Sequence, residues 1–467
     1  MLPAMRSPAR RSCALLLVLL AGCADHAGPQ TSPNVASRGG IREASVRAHL
    51  EFLASDALNG RASGSRDEQI AAEYVGAQFR RLGFKPGGTA GSFVQTVEMT
   101  RLTATAKPSI AIGSAVKWTY GKEFVAGNLA APSISGPLYR VQGSAASVPR
   151  GSVAFMTEEN QDLMAQVVLA GPRAILVRRN LTPAQWDAQA ARTPTFALVI
   201  TGVPSGSRPA VISLSADAAT ALAAVPAGTD VRIETPVGDP QKAYTYNAVG
   251  ILQGTSPSAE AILITSHLDH LGRRDNAPGA DKIYNGADDD ASGTVAVMEL
   301  AEALARRQAP KRTIIYTCFG SEEQGGLGAT YFIENPPVPL EKLVANVEFE
   351  MIGRPDPKVP ARTLWLTGFD RSDLGSTLAK RGARLVLDPH PEMNFFQRSD
   401  NYTLARRGVV AHTVSSYNLH TEYHTPADDT KLVDYPHMTE AIASMVEPLW
   451  WLANTTFKPA WHPGKKP

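Results

Sequence analysis

The stretch Ala261-Ile-Leu-Ile-Thr-Ser-His-Leu-Asp-His270 joins an apolar run to a cluster of two histidines and one aspartate. Its first five residues show no polar alternation, which predicts a strand buried on both faces. The runs Thr313–Phe319 and Leu343–Phe349 have the same character, and the apolar spacing of 294–307 predicts an amphipathic helix. Strands that alternate with helices indicate an α/β fold with a largely parallel sheet covered by helices. Further strands are predicted at 249–252, 363–366 and 408–414.

Polar clusters follow these strands. In open α/β sheets, binding and catalytic groups gather at the carboxyl ends of the strands, so we expect these clusters to lie together. The clusters are Ser266-His-Leu-Asp-His270, Gly286-Ala-Asp-Asp-Asp-Ala-Ser-Gly293, Gly320-Ser-Glu-Glu-Gln-Gly325, Glu350-Met-Ile-Gly353 and Tyr423-His-Thr-Pro-Ala-Asp428.

The residue types in these clusters suit metal ions. Imidazole and carboxylate groups without thiolates favour zinc, with manganese or cobalt as substitutes. Two divalent ions at about 3.5–4 Å need a bridging carboxylate, which the aspartate triplet 288–290 can supply. His267 and Asp269 lie two residues apart in extended chain, so the Asp269 carboxylate can accept the proton of the far ring nitrogen of His267. Adjacent side chains diverge, so one of Glu322 and Glu323 can bind metal while the other acts as general base.

Each motif alone also has an ordinary structural interpretation. A single His-x-Asp is a weak pattern, an aspartate triplet before a helix commonly caps it, and a Glu-Glu pair is commonly solvated. All of them occur here in order, each in the polar segments after buried strands, and this combination favours a two-metal site.

The composition limits the class of protein. A hydrophobic fraction of 43% and a charged fraction of 19% in 467 residues are typical of a globular chain. Residues 1–22 carry three arginines and no acid, so without them the formal charge of +2 becomes −1. A nearly neutral chain without a basic stripe argues against nucleic acid as a partner.

The N-terminus has the pattern of an export signal. Arginines precede a short apolar run, and Leu20-Ala-Gly-Cys23 resembles the bacterial lipobox, in which the cysteine receives a lipid. The run is shorter than the ~20 residues of a membrane-spanning helix. We therefore expect an exported protein that is tethered to the cell envelope through Cys23, on the outer-membrane or periplasmic side if the organism has two membranes. Of the remaining cysteines only Cys318 would persist, and its apolar surroundings indicate a core residue.

Composition and apolar patterning divide the chain into four parts. We predict a signal peptide at 1–22, a flexible tether at 23–42, a catalytic domain at 43–116 and 241–457, and an inserted β-rich domain at 117–240. The last assignment rests on short apolar runs separated by Gly, Pro and Ser turns.

On these residues the chain resembles the M28 family of zinc peptidases. Leu53-Ala-Ser-Asp-Ala-Leu-Asn-Gly-Arg61 is similar to the opening stretch of many members, and Tyr246-Asn-Ala-Val-Gly-Ile-Leu-Gln-Gly254 to the strand that enters the core. The middle segment is similar to a protease-associated domain. The resemblance implies a three-layer α/β/α core with a mixed, mostly parallel sheet, and two Zn²⁺ ions per chain.

The resemblance also implies a role for each residue of the site. His267 and Glu350 would bind one zinc, Glu323 and His424 the other, and Asp289 would bridge both. Glu322 would be the general base and Asp269 the partner of His267. A cis peptide bond between Asp289 and Asp290 is implied as well. The roles assigned by this resemblance are catalytic for Glu322 and Asp269, metal-binding for His267, Asp289, Glu323, Glu350 and His424, and lipid-bearing for Cys23.

The chain departs from the family pattern at several positions. Many members have aspartate in place of Glu350, and Asn401 follows Ser399-Asp400 where relatives often have histidine, so an acid-base role there is lost. His420 competes with His424 as a ligand, and the Tyr-His-Thr-Pro-x-Asp context favours His424. We interpret His270 as a supporting or surface residue and His412 as structural.

These expectations combine into one function. We predict an aminopeptidase that removes N-terminal residues from peptides, with a hydroxide shared by the two zinc ions as nucleophile and Glu322 as base. The alternatives are a carboxypeptidase or dipeptidase on the same fold, a glutaminyl cyclase-like acyltransferase with one zinc, and a non-catalytic binding protein. Side-chain preference and oligomeric state do not follow from the sequence.

Overall fold

The structure is a computed structural model and describes residues 39–202, 209–256, 258–275, 277 and 279–467. The predicted signal peptide, Cys23 and most of the predicted tether lie outside the described residues. Within the described part no helix is long and apolar enough to cross a membrane.

Ten α-helices occur in the described part of the chain. They are α1 (Glu43–Leu53), α2 (Arg66–Arg81), α3 (Gln161–Ala170), α4 (Pro183–Ala191), α5 (Ala216–Ala224), α6 (Gly293–Ala305), α7 (Leu327–Glu334), α8 (Leu374–Lys380), α9 (Asp400–Arg406) and α10 (Tyr435–Asn454).

The strands of the described residues form two large sheets and two two-stranded ones. The strands are β1 (Lys85–Pro86), β2 (Val94–Arg101), β3 (Ser109–Ile112), β4 (Val116–Thr119), β5 (Phe124–Ala126), β6 (Asn128–Leu129), β7 (Ser133–Arg140), β8 (Val153–Met156), β9 (Ala174–Arg178), β10 (Thr195–Phe196), β11 (Val199–Ile200), β12 (Ala210–Leu214), β13 (Asp230–Glu234), β14 (Gln241–Leu252), β15 (Ala261–His267), β16 (Gly272–Arg273), β17 (Ile283–Tyr284), β18 (Thr313–Phe319), β19 (Leu343–Phe349), β20 (Leu364–Leu366), β21 (Leu385–Leu387) and β22 (Ala411–Ser415).

The larger sheet has the strand order β11-β2-β14-β18-β15-β19-β22-β20-β21, and β1 pairs with β14. Its four central strands, β18, β15, β19 and β22, run parallel to their neighbours, whereas β14 and β20 join them antiparallel. The four carboxyl ends therefore meet at one edge, as the sequence predicts. The sheet is mixed because antiparallel strands extend both flanks of this parallel centre.

Helices cover both faces of this sheet. Alternate residues of β18 enter different cores: Ile314 and Tyr316 pack with α1, α2, α6 and α10, whereas Ile315 and Phe319 pack with α7 and α9. Every residue of β18 and β15 is buried, which explains why these strands read as continuous apolar runs. The α/β fold class predicted from the sequence is confirmed.

The middle of the chain forms the second large sheet, in the order β4-β3-β13-β7-β8-β9-β12-β5. It spans residues 109–234 and has its own apolar core around Val153, Leu176 and Ile212. Residues 199–200 leave it and pair with β2 of the larger sheet. The domain limits at 117 and 240, and the likeness to a protease-associated domain, stay predictions.

Several elements match their predictions closely, whereas the eight-residue strands β2 and β7 were not predicted. Strands β18 and β19 have the expected bounds, and helix α6 begins one residue before the predicted 294. Strand β2 was missed because its apolar residues Val94, Val97 and Met99 do not alternate strictly with polar ones, and because its partner, β14, lies at least 140 residues away in the chain. Cys318 is fully buried in β18, and burial raises its pKa to about 12, as expected for a core residue.

Candidate metal centre

The predicted site residues converge at the carboxyl edge of the parallel strands. His267 ends β15, Glu350 follows β19, and Glu322 and Glu323 lie three and four residues after β18. His424 comes from the loop after β22. Residues that are up to 157 positions apart in sequence thus face one another because their strands end side by side.

One cluster contains His267, Asp289 and Glu350. Nε2 of His267 lies 3.2 Å from Oδ1 of Asp289 and 4.0 Å from Oε1 of Glu350. Both His267 and Asp289 are buried, so this cluster is shielded from water on the side of the sheet.

A second cluster contains Asp289, Glu323, His424 and His270. Nε2 of His424 lies 3.2 Å from Oδ2 of Asp289 and 3.2 Å from Oε1 of Glu323. Nδ1 of His270 lies 2.9 Å from the same Glu323 oxygen and 3.7 Å from Oδ2 of Asp289. The two oxygens of Asp289 therefore face different clusters, as a bridging carboxylate requires.

These groups fit zinc ions better than they fit one another. Nε2 of His267, Nδ1 of His270, Nε2 of His424 and Oε1 of Glu323 are buried and have no hydrogen-bond partner in the described part of the chain. Such unpaired buried atoms are costly unless a ligand satisfies them. Ligands about 2.0–2.2 Å from a tetrahedral zinc lie roughly 3.3–3.6 Å from each other, close to the distances above. The atoms of each cluster all lie within 4.8 Å of one another.

His270 lies closer to the site than a surface residue would. We expected a supporting or surface residue, and the surface alternative is wrong, because the side chain is fully buried and its ring nitrogen lies in the second cluster. Its backbone N–H donates to the carbonyl of Arg61, and Ala62 forms a bridge with it, so a distant segment fixes its position. The spacing of the two histidines in His267-Leu-Asp-His270 is the pattern that could have indicated it.

The other histidines have separate partners. Nε2 of His420 lies 3.1 Å from Oδ2 of Asp288, outside both clusters, which agrees with the choice of His424 over His420. His412 is buried, with its ring between the Ser372 hydroxyl and the Thr367 carbonyl, each at 2.7 Å. A structural role for His412 follows from these two bonds.

The three carboxylates of the aspartate triplet differ in their hydrogen-bond partners. Asp290 accepts hydrogen bonds from the backbone N–H groups of His267, Gly293 and Met351, at 2.9–3.1 Å. Asp288 accepts one from the N–H of Gly353, at 2.7 Å. Only the middle carboxylate is left to face the clusters.

The triplet is also anchored by Asp428. Asp428 accepts hydrogen bonds from the N–H groups of Asp288 and Asp289, at 2.9 and 3.1 Å. The peptide bond between Asp289 and Asp290 is cis, as the family resemblance implies.

The Asp269 carboxylate has further partners besides the predicted one. Nδ1 of His267 lies 3.2 Å from the backbone carbonyl of Asp269 and 3.6 Å from its carboxylate, within ion-pair distance. The carboxylate also accepts hydrogen bonds from the N–H groups of Glu322 and Glu323, at 2.9 and 3.3 Å, and from the Ser63 hydroxyl. Because Asp269 lies two residues after β15, this arrangement fixes the loop that carries the predicted base.

A second buried acid holds the same loop. Glu68 of α2 accepts from the N–H of Ser321 at 2.9 Å, from the Thr245 hydroxyl at 2.7 Å and from the N–H of Gly64 at 2.9 Å. Sequence reasoning missed Glu68 because it lies 253 residues from Ser321 in a helix that looks ordinarily amphipathic.

Three positions at the site have left-handed backbone geometry without being glycine. They are Ser321 before the glutamate pair, Met351 after Glu350, and His424, with φ of 53°, 52° and 56°. Each costs on the order of 1–3 kcal/mol and persists only where surrounding bonds enforce it. Hydrogen bonds to buried carboxylates fix the backbone of Ser321 and Met351. The fold therefore keeps these unfavourable conformations, which orient the residues of the site.

Glu322 lies beside the clusters but belongs to neither. Its side chain is partly exposed and has no hydrogen-bond partner in the described residues. Burial among other acids raises the pKa of Glu322 well above its usual range, against the lowering effect of His267. An unligated carboxylate with a high proton affinity suits a general base.

Two further buried carboxylates were not predicted. Glu348 accepts a hydrogen bond from the Ser399 hydroxyl at 3.0 Å, and burial raises the pKa of Asp400 to about 8. Both oxygens of Asp400 lack partners among the described residues. Asn401 donates to the carbonyl of Phe396 and is buried, so it has a structural role.

Comparison with known proteins finds related peptidases. The profile described as Peptidase family M28 matches residues 247–447, which contain all five predicted metal ligands. An aminopeptidase of Pseudomonas aeruginosa is 30% identical over 117 residues, 25% of this chain and 20% of that protein. A probable zinc metalloprotease of Pyrenophora teres f. teres is 25% identical over 240 residues, 45% of this chain and 49% of that protein. The chain therefore spans at most about half the length of these curated relatives.

Solved structures share the fold. An aminopeptidase from an Aneurinibacillus strain superposes with a TM-score of 0.55 at 18% identity, over 90% of this chain and 96% of that one. A zinc aminopeptidase from Bacillus subtilis gives a TM-score of 0.51 at 16% identity, over 89% and 96%. Residues 247–447 of this chain are therefore similar to peptidase family M28, and the chain shares its fold with solved aminopeptidases.

Proposed function

We propose that the chain is a di-zinc exopeptidase that removes N-terminal residues from peptides, with Glu322 as general base. The observation that carries this proposal is the pair of ligand clusters that share Asp289 and leave buried nitrogen and oxygen atoms unpaired. The names of the relatives, an aminopeptidase and zinc metalloproteases, support the same reaction class.

The residues divide between two ions. His267, Asp289 and Glu350 would hold the first, and Asp289, Glu323 and His424 the second, with His270 as a further ligand candidate. Zinc bound there would polarise the scissile carbonyl and stabilise the negative charge that develops on its oxygen.

Glu322 would move the proton. Its carboxylate takes a proton from the attacking water and delivers it to the leaving amine, so one residue serves both halves of the reaction. Asp269 and Glu68 hold the loop of this residue through its backbone N–H groups, which keeps the carboxylate aimed at the clusters.

The first experiment measures zinc per chain and hydrolysis by the purified full-length protein. We expect two zinc ions and cleavage of peptides with a free N-terminus. One zinc with cyclisation of N-terminal glutamine would indicate the acyltransferase instead, and cleavage of N-blocked peptides alone would indicate a carboxypeptidase. Metal-loaded protein that cleaves no substrate would refute an enzyme.

Variants separate the base from the ligands. Glu322→Gln should retain two zinc ions and lose at least ~10²-fold in kcat, whereas Asp289→Asn should lose metal. Glu341→Gln, an exposed glutamate, is the matched control and should change neither. Full activity of Glu322→Gln would contradict the assignment.

His270 has its own test. His270→Ala should lower the zinc content toward one ion per chain, because a ligand atom of the second cluster is removed. His462→Ala, at an exposed histidine, is the control. Two tightly held ions in His270→Ala would restrict this histidine to a supporting role.

A further inference from the structure

A small pocket opens beside Glu350, on the side of the first cluster. Its volume is about 40 Å³, and its aromatic walls are Trp365, Phe395, Tyr417 and Tyr423. The Tyr423 ring stacks on the candidate ligand His424 at 3.8 Å between centroids. The pocket therefore adjoins a candidate ligand of each cluster, Glu350 in its wall and His424 behind Tyr423.

The pocket presents hydrogen-bond donors that nothing in the described residues uses. The guanidinium of Arg398 lines it and lies over the Phe395 ring at 4.9 Å, with no described carboxylate within 4.0 Å. The hydroxyls of Tyr417 and Tyr423 also lack partners there. Burial raises the pKa of Tyr417 to about 12, so its hydroxyl keeps its proton at neutral pH.

Two more polar atoms in the walls are buried and unpaired. They are Nε1 of Trp365 and Oγ1 of Thr413, in residues that are 1% and 2% exposed. The tryptophan nitrogen can only donate, and the threonine hydroxyl can donate or accept. Glu350 is the single carboxylate in the wall, and no described ion pair within 4.0 Å joins it to Arg398.

The volume sets the size of a matching side chain. A cavity of about 40 Å³ holds roughly three waters, since one water needs about 10–15 Å³. Aspartate, asparagine and leucine each have three non-hydrogen atoms beyond Cβ, so their side chains match a cavity of this size. Among these nearly isosteric residues, only the first two bring hydrogen-bond acceptors, and only aspartate brings a charge opposite to that of Arg398.

We propose that this pocket receives the side chain of the substrate's N-terminal residue and selects aspartate over asparagine and leucine, with Arg398 as the specificity-determining residue. The inference rests on the proposed function, because that function brings a free N-terminus to the clusters. Leucine would leave the donors unpaired, and a site built to hydrogen-bond a substrate group discriminates strongly against an analogue that lacks it.

The test compares three fluorogenic amides that differ only in an N-terminal Asp, Asn or Leu. With zinc-loaded full-length protein, kcat/KM for Asp should exceed that for Leu by at least about 10-fold, as one hydrogen bond to a charged group predicts. Arg398→Leu should remove this preference while kcat/KM for Leu stays within about threefold. Arg381→Leu removes an arginine that lies over Trp451 at 4.2 Å, outside the pocket, and should keep the wild-type ranking.

A binding measurement gives a readout besides activity. Calorimetric titration of free Asp, Asn and Leu into the Glu322→Gln variant should rank them in that order, and adding Arg398→Leu should abolish the Asp advantage. Leu cleaved or bound as well as Asp, or a preference that survives Arg398→Leu, would overturn the inference and leave the proposed function standing. Ranked binding without cleavage of any amide by the wild-type protein would support the pocket and refute the exopeptidase.

Discussion

Replacement of Arg61 by lysine tests how the loops of the metal centre are held together. The Arg61 side chain is fully buried and donates four hydrogen bonds, at 2.6–3.0 Å, to main-chain carbonyl oxygens. These oxygens belong to Leu53, Leu268, Asn285 and Gly286. Leu268 lies between the histidine and the aspartate of the first polar cluster, and Gly286 precedes the aspartate triplet, so one guanidinium joins the two loops.

The magnitude follows from the geometry of the donors. A guanidinium offers five N–H groups in a planar fork, whereas an ammonium offers at most three from a single atom. Lysine at position 61 would leave about two of the four carbonyls unsatisfied, at roughly 1–3 kcal/mol each. We expect a loss of about 2–5 kcal/mol in the free energy of unfolding. Supporting interactions of this kind also change metal affinity by about 10–100-fold.

Thermal unfolding and zinc competition with a chelator measure the two effects. At roughly 2 °C per kcal/mol for a large domain, Arg61→Lys should lower the Tm by about 4–10 °C. Arg66→Lys, at an exposed arginine nearby, should stay within about 0.5 kcal/mol of the wild type. An Arg61→Lys protein with wild-type Tm and zinc affinity would refute the idea that this side chain ties the loops together.

Three further predictions concern packing, pH and export. A Cβ at Gly293 would lie 2.1 Å from the Phe349 carbonyl, so Gly293→Ala should cost at least about 1–3 kcal/mol in urea unfolding, whereas Gly127→Ala, with nothing within 4 Å, should be tolerated. Burial lowers the pKa of His412 to about 4, so the stabilisation by its neutral ring is complete above about pH 6.5 and is lost as the pH falls toward 4; from pH 7.5 to 5 the metal-free protein should lose about 2 kcal/mol more than His412→Gln, and equal losses would contradict this. Cys23→Ala should move the protein from the membrane to the soluble fraction of cells, and unchanged fractionation would exclude a lipid anchor there.

The local pattern was enough to predict much of the core. Strands β15, β18 and β19 are buried on both faces, so their sequences are continuous apolar runs that can be recognised without a partner. The polar residues after these strands identified the chemistry, because the order of a parallel sheet places their ends at one edge. Strand β2 and the pocket around Arg398 were not accessible in this way, since they depend on pairing and packing between distant segments.

The sequence by itself determined the fold class and the residue types of a metal centre, since both follow from apolar periodicity and from side chains near strand ends. Only the tertiary structure decided which member of the triplet faces the clusters, that His270 joins them, and that the Asp269 carboxylate holds the loop of Glu322. Those outcomes depend on which buried donors are left for each carboxylate after the backbone N–H groups have been paired. Pairing of that kind joins residues far apart in the chain, such as Arg61 and Leu268, and no local pattern records it.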